Sequence, residues 1–114
     1  MNYIDLTNDY TPSQISKFSK PSKTYEDYSL GVSGTSYTAT ASGWFMVEKL
    51  TGVTGFAYIR MNVNGLRVET NGSGATDIAL CIAVPVAKGD SVVITFNCTG
   101  NTNRFRFYYD YGEV

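Results

Sequence analysis

Histidine is absent from the 114 residues, and its absence excludes several chemistries at once. No Ser-His or Cys-His pair can activate a nucleophile, and no imidazole can ligate a metal. No apolar run reaches the ~18 residues of a membrane-spanning helix. Positive charge is not in excess: nine Lys and Arg are scattered among ten Asp and Glu, for a formal net charge of −1. The basic stripe of a nucleic-acid binder is therefore missing. No internal repeat is visible, and no glycine-rich loop carries the spacing and the following Lys-Ser/Thr of a phosphate loop. The first ten residues, MNYIDLTNDY, are acidic and polar, unlike a secretory signal. The expectation is a protein made and kept in a cytoplasm, or one exported by a route that needs no such signal.

Cysteine is scarce too. Cys81 and Cys98 each sit in a strand-like run, IALCIAVPV and VVITFNCTG. Buried free thiols are the expected state, by the burial habit of cysteine and a reducing compartment, with a disulfide as the alternative. Two glycosylation sequons, at Asn71 and Asn97, carry little meaning without a secretory signal.

What the chain does have is tyrosine, nine of them, and many Gly, Ser, Thr and Asn residues, with 43% hydrophobic residues overall. That mixture favours strands and tight turns over helices, and helix is expected in under about one-fifth of the chain. The length suits one domain burying roughly 65% of its unfolded surface. Residues 1–24, with TPSQISKFSKPSKT, read as a polar N-terminal arm. Lys17, Lys20 and Lys23 form its solvated edge, and Ser13 could cap a helical turn over Gln14–Phe18. Tyr3, Ile4, Leu6, Ile15 and Phe18 are the residues that could pin the arm to a surface.

From residue 25 onward, short strands alternate with turn signals: TYEDYSL, SYTATA, WFMVEKL, FAYIRMNV, LRVET, IALCIAVPV, SVVITFNCT and RFRFYYDY. Ser42-Gly43 reads as a turn. Asn64-Gly65 between two strands predicts a hairpin whose turn residues both need positive φ. Pro85 stands near the end of its strand, where a missing N–H costs least. Eight strands at about ten-residue spacing and no long helix predict an all-β antiparallel sandwich or barrel. Alternation assigns the core face: Ile59, Met61 and Val63; Val92, Ile94 and Phe96; Phe105, Phe107 and Tyr109. Phe56, Tyr58, Arg60 and Asn62, with Arg104, Arg106 and Tyr108, then point away from the core.

Three stretches, in order over about residues 25–113, resemble the tips of bacteriophage and prophage tail fibres. YSLGVSGTSYTATASGWFMVEKL is similar to that family's LG-SG-YTAP-A-GWF stretch. VPVAKGDSVVITF resembles its VPVKKGD-V-V turn and strand, and NTNRFRFYYDYGE its closing T--FRFIYAEGE. Thr40 stands where the pattern usually has proline, and residues 1–24 match none of it. The resemblance implies a jelly-roll domain over 25–114, of the complement and tumour-necrosis-factor type. It also implies a homotrimer at the distal end of a fibre, a virion-tail location and a final strand central to the inner sheet. The expected partners are a second and third copy of the chain and a bacterial surface glycan or receptor. Neither nucleic acid nor membrane insertion is expected, and no cofactor or metal.

Candidate site residues follow. An oligomer interface is expected at Tyr58, Arg60, Arg104, Arg106 and Tyr108. For Arg60, Arg67, Arg104 and Arg106 an interface role, paired with Glu69 or Asp110, or ordinary solvation comes before an anionic-glycan patch. Ligand contacts are expected at Tyr58, Asn71, Ser73, Asp77, Asn101 and Asn103, chiefly in the small, polar loops 51–55, 71–77 and 99–103. Loop 71–77 reads first as a flexible connector and second as a ligand loop with Asp77 as a polar contact. Trp44, Tyr28, Tyr37 and Tyr58 are the aromatics that could stack on a sugar, although Trp44, after Ser42-Gly43, is more often a core or interface residue. Lys88-Gly89-Asp90 reads as a turn. Glu26 and Asp27, adjacent on a strand, face opposite sides; a paired-carboxylate site could assemble only from distant loops, and no catalytic residue is expected. A structural trimerisation cap without a receptor, and a bacterial carbohydrate-binding module, are the alternative functions.

Overall fold

Eight strands appear in a computed structural model of the chain, which describes residues 21–110. They are β1 (Pro21–Asp27), β2 (Thr35–Thr38), β3 (Gly43–Leu50), β4 (Ala57–Val63), β5 (Leu66–Gly72), β6 (Ala79–Val86), β7 (Ser91–Phe96) and β8 (Thr102–Asp110). No helix occurs among the described residues. The expected helical turn at Gln14–Phe18, the anchoring residues Tyr3, Ile4, Leu6, Ile15 and Phe18, the lysines at 17 and 20, and Tyr111 lie outside them.

The strands form two four-stranded sheets, in the orders β1-β8-β3-β6 and β2-β7-β4-β5. All pairings are antiparallel. Every connection crosses between the sheets except the β4–β5 hairpin, the strand order of an eight-stranded jelly roll. The protein is an all-β, antiparallel jelly-roll sandwich. β8 lies between β1 and β3, so the aromatic end of the chain is an inner strand of its sheet.

The core follows from the alternation. Phe45, Val47, Ile59, Met61, Val92, Ile94, Phe105 and Phe107 are buried between the sheets, as are Leu80, Ile82, Val84 and Val86 of β6. Each large aliphatic or aromatic side chain so removed from water contributes about 1.5–3 kcal/mol. The aromatic rings meet edge to face: Phe45 and Phe107 at 5.0 Å, Phe107 and Tyr109 at 5.1 Å. Asn64 (φ 52°) and Gly65 (φ 83°) both occupy the left-handed region, as the tight β4–β5 turn requires. Pro85 stands on β6, an edge strand, where its missing N–H breaks no ladder on the open side.

Several boundaries differ from the sequence pattern. β1 begins at Pro21, not Thr24, and ends at Asp27. Gly43 is not a turn residue but the first residue of β3, paired with Val86 and Tyr109. β5 runs on to Gly72 and β8 starts at Thr102, which takes Asn71 and Asn103 out of the loops and into strands. β7 stops at Phe96, so Cys98 follows the strand instead of lying in it. There the Asn97 side chain takes over the ladder: its Oδ1 accepts from Tyr58 N–H at 2.9 Å and its Nδ2 donates to the Phe56 carbonyl at 2.8 Å.

Candidate functional site: one loop end and two outer faces

The loop end is built around Thr51, a buried polar residue. Its N–H donates to Ile78 O at 2.9 Å, its Oγ1 donates to Ala75 O at 2.7 Å, and its carbonyl accepts from Thr99 N–H at 3.0 Å. One residue thus ties together the three loops 51–56, 73–78 and 97–101. Gly52 N–H to Thr76 O and Gly74 N–H to Thr54 O add further ties. Lys49 closes the third loop by donating to Gly100 O at 2.7 Å and to Thr102 Oγ1 at 3.2 Å. The loops expected to bear ligand contacts are therefore neighbours, on a framework of backbone hydrogen bonds that leaves Ser73, Asp77 and Asn101 exposed. Loop 73–78 is a tied connector.

Tyr58 and Asn71 also come together, as register partners on β4 and β5. They belong to the outer face of β2-β7-β4-β5, next to Arg60 and its register partner Glu69. Arg60 Nε donates to Glu69 Oε1 at 2.5 Å, and Asn71 Nδ2 donates to Glu69 Oε2 at 3.1 Å. The Arg60 guanidinium lies 3.9 Å above the Tyr58 ring, a cation–π contact. Hydrogen bonds from Arg60 and then Asn71 hold the Glu69 carboxyl below its ordinary range, against a smaller opposing effect of burial. Its contribution to stability is therefore present above the ordinary carboxylate range and is lost as pH falls through the lowered value.

Arg104, Arg106 and Tyr108 lie on the other outer face, that of β1-β8-β3-β6. The structure thus separates the five expected interface residues into two patches on opposite faces of the sandwich, because β4 and β8 belong to different sheets. Arg106 does not pair with Asp110. Its Nε donates to Asp27 Oδ1 at 3.0 Å, its Nη1 donates to Tyr108 Oη at 3.2 Å, and it stacks 4.2 Å from the Tyr25 ring. Arg104 Nε donates to Glu48 Oε1 at 3.0 Å. Beside those paired charges, the outward residues Trp44, Met46, Ala83 and Tyr108 are apolar or aromatic. Trp44, Met46, Ala83, Pro21 and Tyr108, with Ser22, line a shallow groove of about 300 Å³.

Tyr28 and Tyr37 are not outward platforms. Tyr28 packs against Phe45 and Phe105 at 5.6 and 5.4 Å, and Tyr37 meets Phe105 at 4.8 Å while its hydroxyl accepts from Gly31 N–H. Both odd-numbered β2 positions and the start of the β1–β2 loop turn inward, which the sequence could not fix without the register. Phe56, which alternation puts on the outward parity with Tyr58 but which is not among the expected ligand contacts, is 54% exposed beside it. Lys88-Gly89-Asp90 is a turn, with Gly89 at φ +91° and Ala87 N–H donating to Asp90 Oδ2.

The cysteines are free; Cys98 is buried and Cys81 exposed, which corrects the expectation that both are buried. Cys81 occupies the outward parity of β6, opposite Glu48. Burial raises both thiols above the ordinary range, the Glu48 carboxylate pushes Cys81 further up, and Lys49 partly offsets the rise at Cys98. Cys98 should take up an alkylating agent only on unfolding. Denatured protein from a reducing cytoplasm should carry two labels by intact mass; a disulfide would leave none. Among the described residues no group of three or more His, Cys, Asp or Glu could hold a metal ion.

No family model matches the chain, and no curated protein matches it. Among solved structures, a CBM35 from Cellvibrio japonicus Abf62 is similar to it at 16% identity. The match covers 81% of this chain and 86% of that one, with a TM-score of 0.42.

Proposed function

We infer that the chain is a non-catalytic recognition module that works as a homotrimer at the tip of a phage tail fibre, in the virion tail, and binds a bacterial surface glycan or receptor. The observation that carries this reading is the outer face of β1-β8-β3-β6. A sheet face turned to water usually alternates with charged residues. Here Trp44, Met46 and Tyr108 stand on the outward parity of β3 and β8, and the four outward residues Ala79, Cys81, Ala83 and Pro85 of β6 are uncharged. An apolar, aromatic strip beside the Arg104–Glu48 and Arg106–Asp27 pairs suits association with further copies of the chain. Association there leaves the tied loop end free, with hydroxyl and amide groups on a rigid scaffold, where a sandwich varies its binding chemistry without disturbing its core.

Light scattering of the purified protein should give a trimer at micromolar concentration, and fluorescent trimer should adsorb to bacterial cells. Arg106→Glu combined with Tyr108→Ala should weaken assembly more than Asp77→Ala does. It should also reduce adsorption, by roughly 10² or more if receptors are engaged together. A monomer would remove the assembly half of the reading. A trimer that adsorbs to no cell in a broad panel would leave a structural cap.

A further inference from the structure

We propose that the outer face of β2-β7-β4-β5 binds an acidic oligosaccharide, one pyranose stacking on Phe56 and an anionic group, carboxylate or phosphate, held by Arg67. The proposal rests on the glycan-binding reading above and gives it a place and a charge.

The strand residues of this face carry three ionic side chains, Arg60, Arg67 and Glu69, in a chain whose formal net charge is −1. Two guanidiniums and one carboxylate leave one local positive charge. Which arginine carries it is decided by geometry. Arg60 is already paired, with Nε on Glu69 at 2.5 Å and its plane on Tyr58 at 3.9 Å, and its side chain is 31% exposed. Glu69 is engaged at both oxygens, by Arg60 and Asn71. Arg67 reaches Glu69 only at 4.0 Å and its side chain is 61% exposed. A guanidinium has five N–H donors in a planar fork, and those of Arg67 are available for a carboxylate or phosphate, which that fork fits bidentately.

The aromatic part stands on the same face. Phe56 and Tyr58 have ring centroids 6.0 Å apart and planes within 32°. Arg60 packs on Tyr58, so the open aromatic surface of this row belongs to Phe56, 54% exposed. The backbone under the rings is held by the two Asn97 hydrogen bonds, so the step is rigid before a ligand arrives. A pyranose offers C–H groups to such a ring and hydroxyls to the polar groups beside it. From the Arg60–Glu69 rung, where the Arg67 side chain points, to Phe56 is four residues, about 13 Å of strand, within reach of a short oligosaccharide. The step adjoins loop 51–56, so a longer glycan would continue onto the loop end.

The test is titration calorimetry with trigalacturonate, its fully methyl-esterified form, and a phosphorylated mannose oligosaccharide, on wild type, Arg67→Gln and Phe56→Ala. Both variants change exposed side chains and should keep the wild-type circular dichroism and melting temperature. Wild type should bind at least one anionic probe, more weakly as salt rises. Arg67→Gln should lose about tenfold or more for that probe and nothing for the ester, while Phe56→Ala weakens every probe that binds. A preference for trigalacturonate or for the phosphorylated sugar tells carboxylate from phosphate. Absence of binding by both anionic probes at millimolar concentration overturns the proposal, as does Arg67→Gln binding them like wild type. Cell adsorption is scored separately: if wild type and both variants adsorb equally, this site falls and the recognition reading stands. If wild type adsorbs nowhere, that reading falls, and the titration still decides the chemistry of the face.

Discussion

Phe107→Ala is expected to destabilise the fold by about 3–5 kcal/mol, a large share of the roughly 5–15 kcal/mol available to a domain of this kind. Phe107 is fully buried and meets two further rings, Phe45 and Tyr109, edge to face. It lies on β8, which is held between β1 and β3, so its neighbours are fixed on both sides and cannot collapse into the space the ring leaves. Urea denaturation should show the midpoint falling with the slope unchanged, and the melting temperature should drop by roughly 10–20 °C. Phe56→Ala is the internal contrast: the same side chain removed from an exposed position, with an expected change of about 0.5 kcal/mol or less. Equal effects of the two substitutions would mean that the core is not centred where β8 places it.

The contrast between the two phenylalanines also shows what was legible in the sequence. Period-two alternation separated Phe105 and Phe107 from Arg104 and Arg106, and Asn64-Gly65 marked a hairpin, because both are local properties of two to ten residues. The number of strands was legible for the same reason. The partners were not. That Arg106 pairs with Asp27 and not with Asp110 depends on the register of β1 against β8, which brings together residues 79 apart in sequence. Placing Tyr58 with Arg60 on one outer face and Tyr108 with Arg106 on the other needs the strand order of both sheets, and alternation says only that each points away from a core. The loop cluster was half legible: the polar loops could be found one by one, but their meeting at Thr51 is a product of the crossing connections. Asn97 hides for a subtler reason. Its side chain replaces a backbone rung, which no hydrophobic pattern records.

Gly43 is where a local reading of a turn misses a constraint set by the whole sandwich, and Gly43→Ala is expected to cost about 1–3 kcal/mol, towards the upper end. Its φ is not in the left-handed region, so the requirement is space. A Cβ built there would lie 2.2 Å from the Tyr108 carbonyl oxygen and 2.6 Å from Cζ of Phe107. The ring could give way by tilting; the carbonyl belongs to the backbone of the adjoining strand, since Gly43 pairs with Tyr109 in the β3–β8 register. The two obstacles can be separated by a double-mutant cycle with Phe107→Ala. Removing the ring deletes one clash and leaves the other, so the double variant should be more stable than the sum of the single effects predicts, by about 0.5–3 kcal/mol, yet still less stable than Phe107→Ala alone. Strict additivity would show that the ring plays no part in excluding a side chain at position 43. Full recovery to the stability of Phe107→Ala would show that the Tyr108 carbonyl plays none. A Gly43→Ala variant as stable as wild type would mean that β3 and β8 do not approach so closely at that rung.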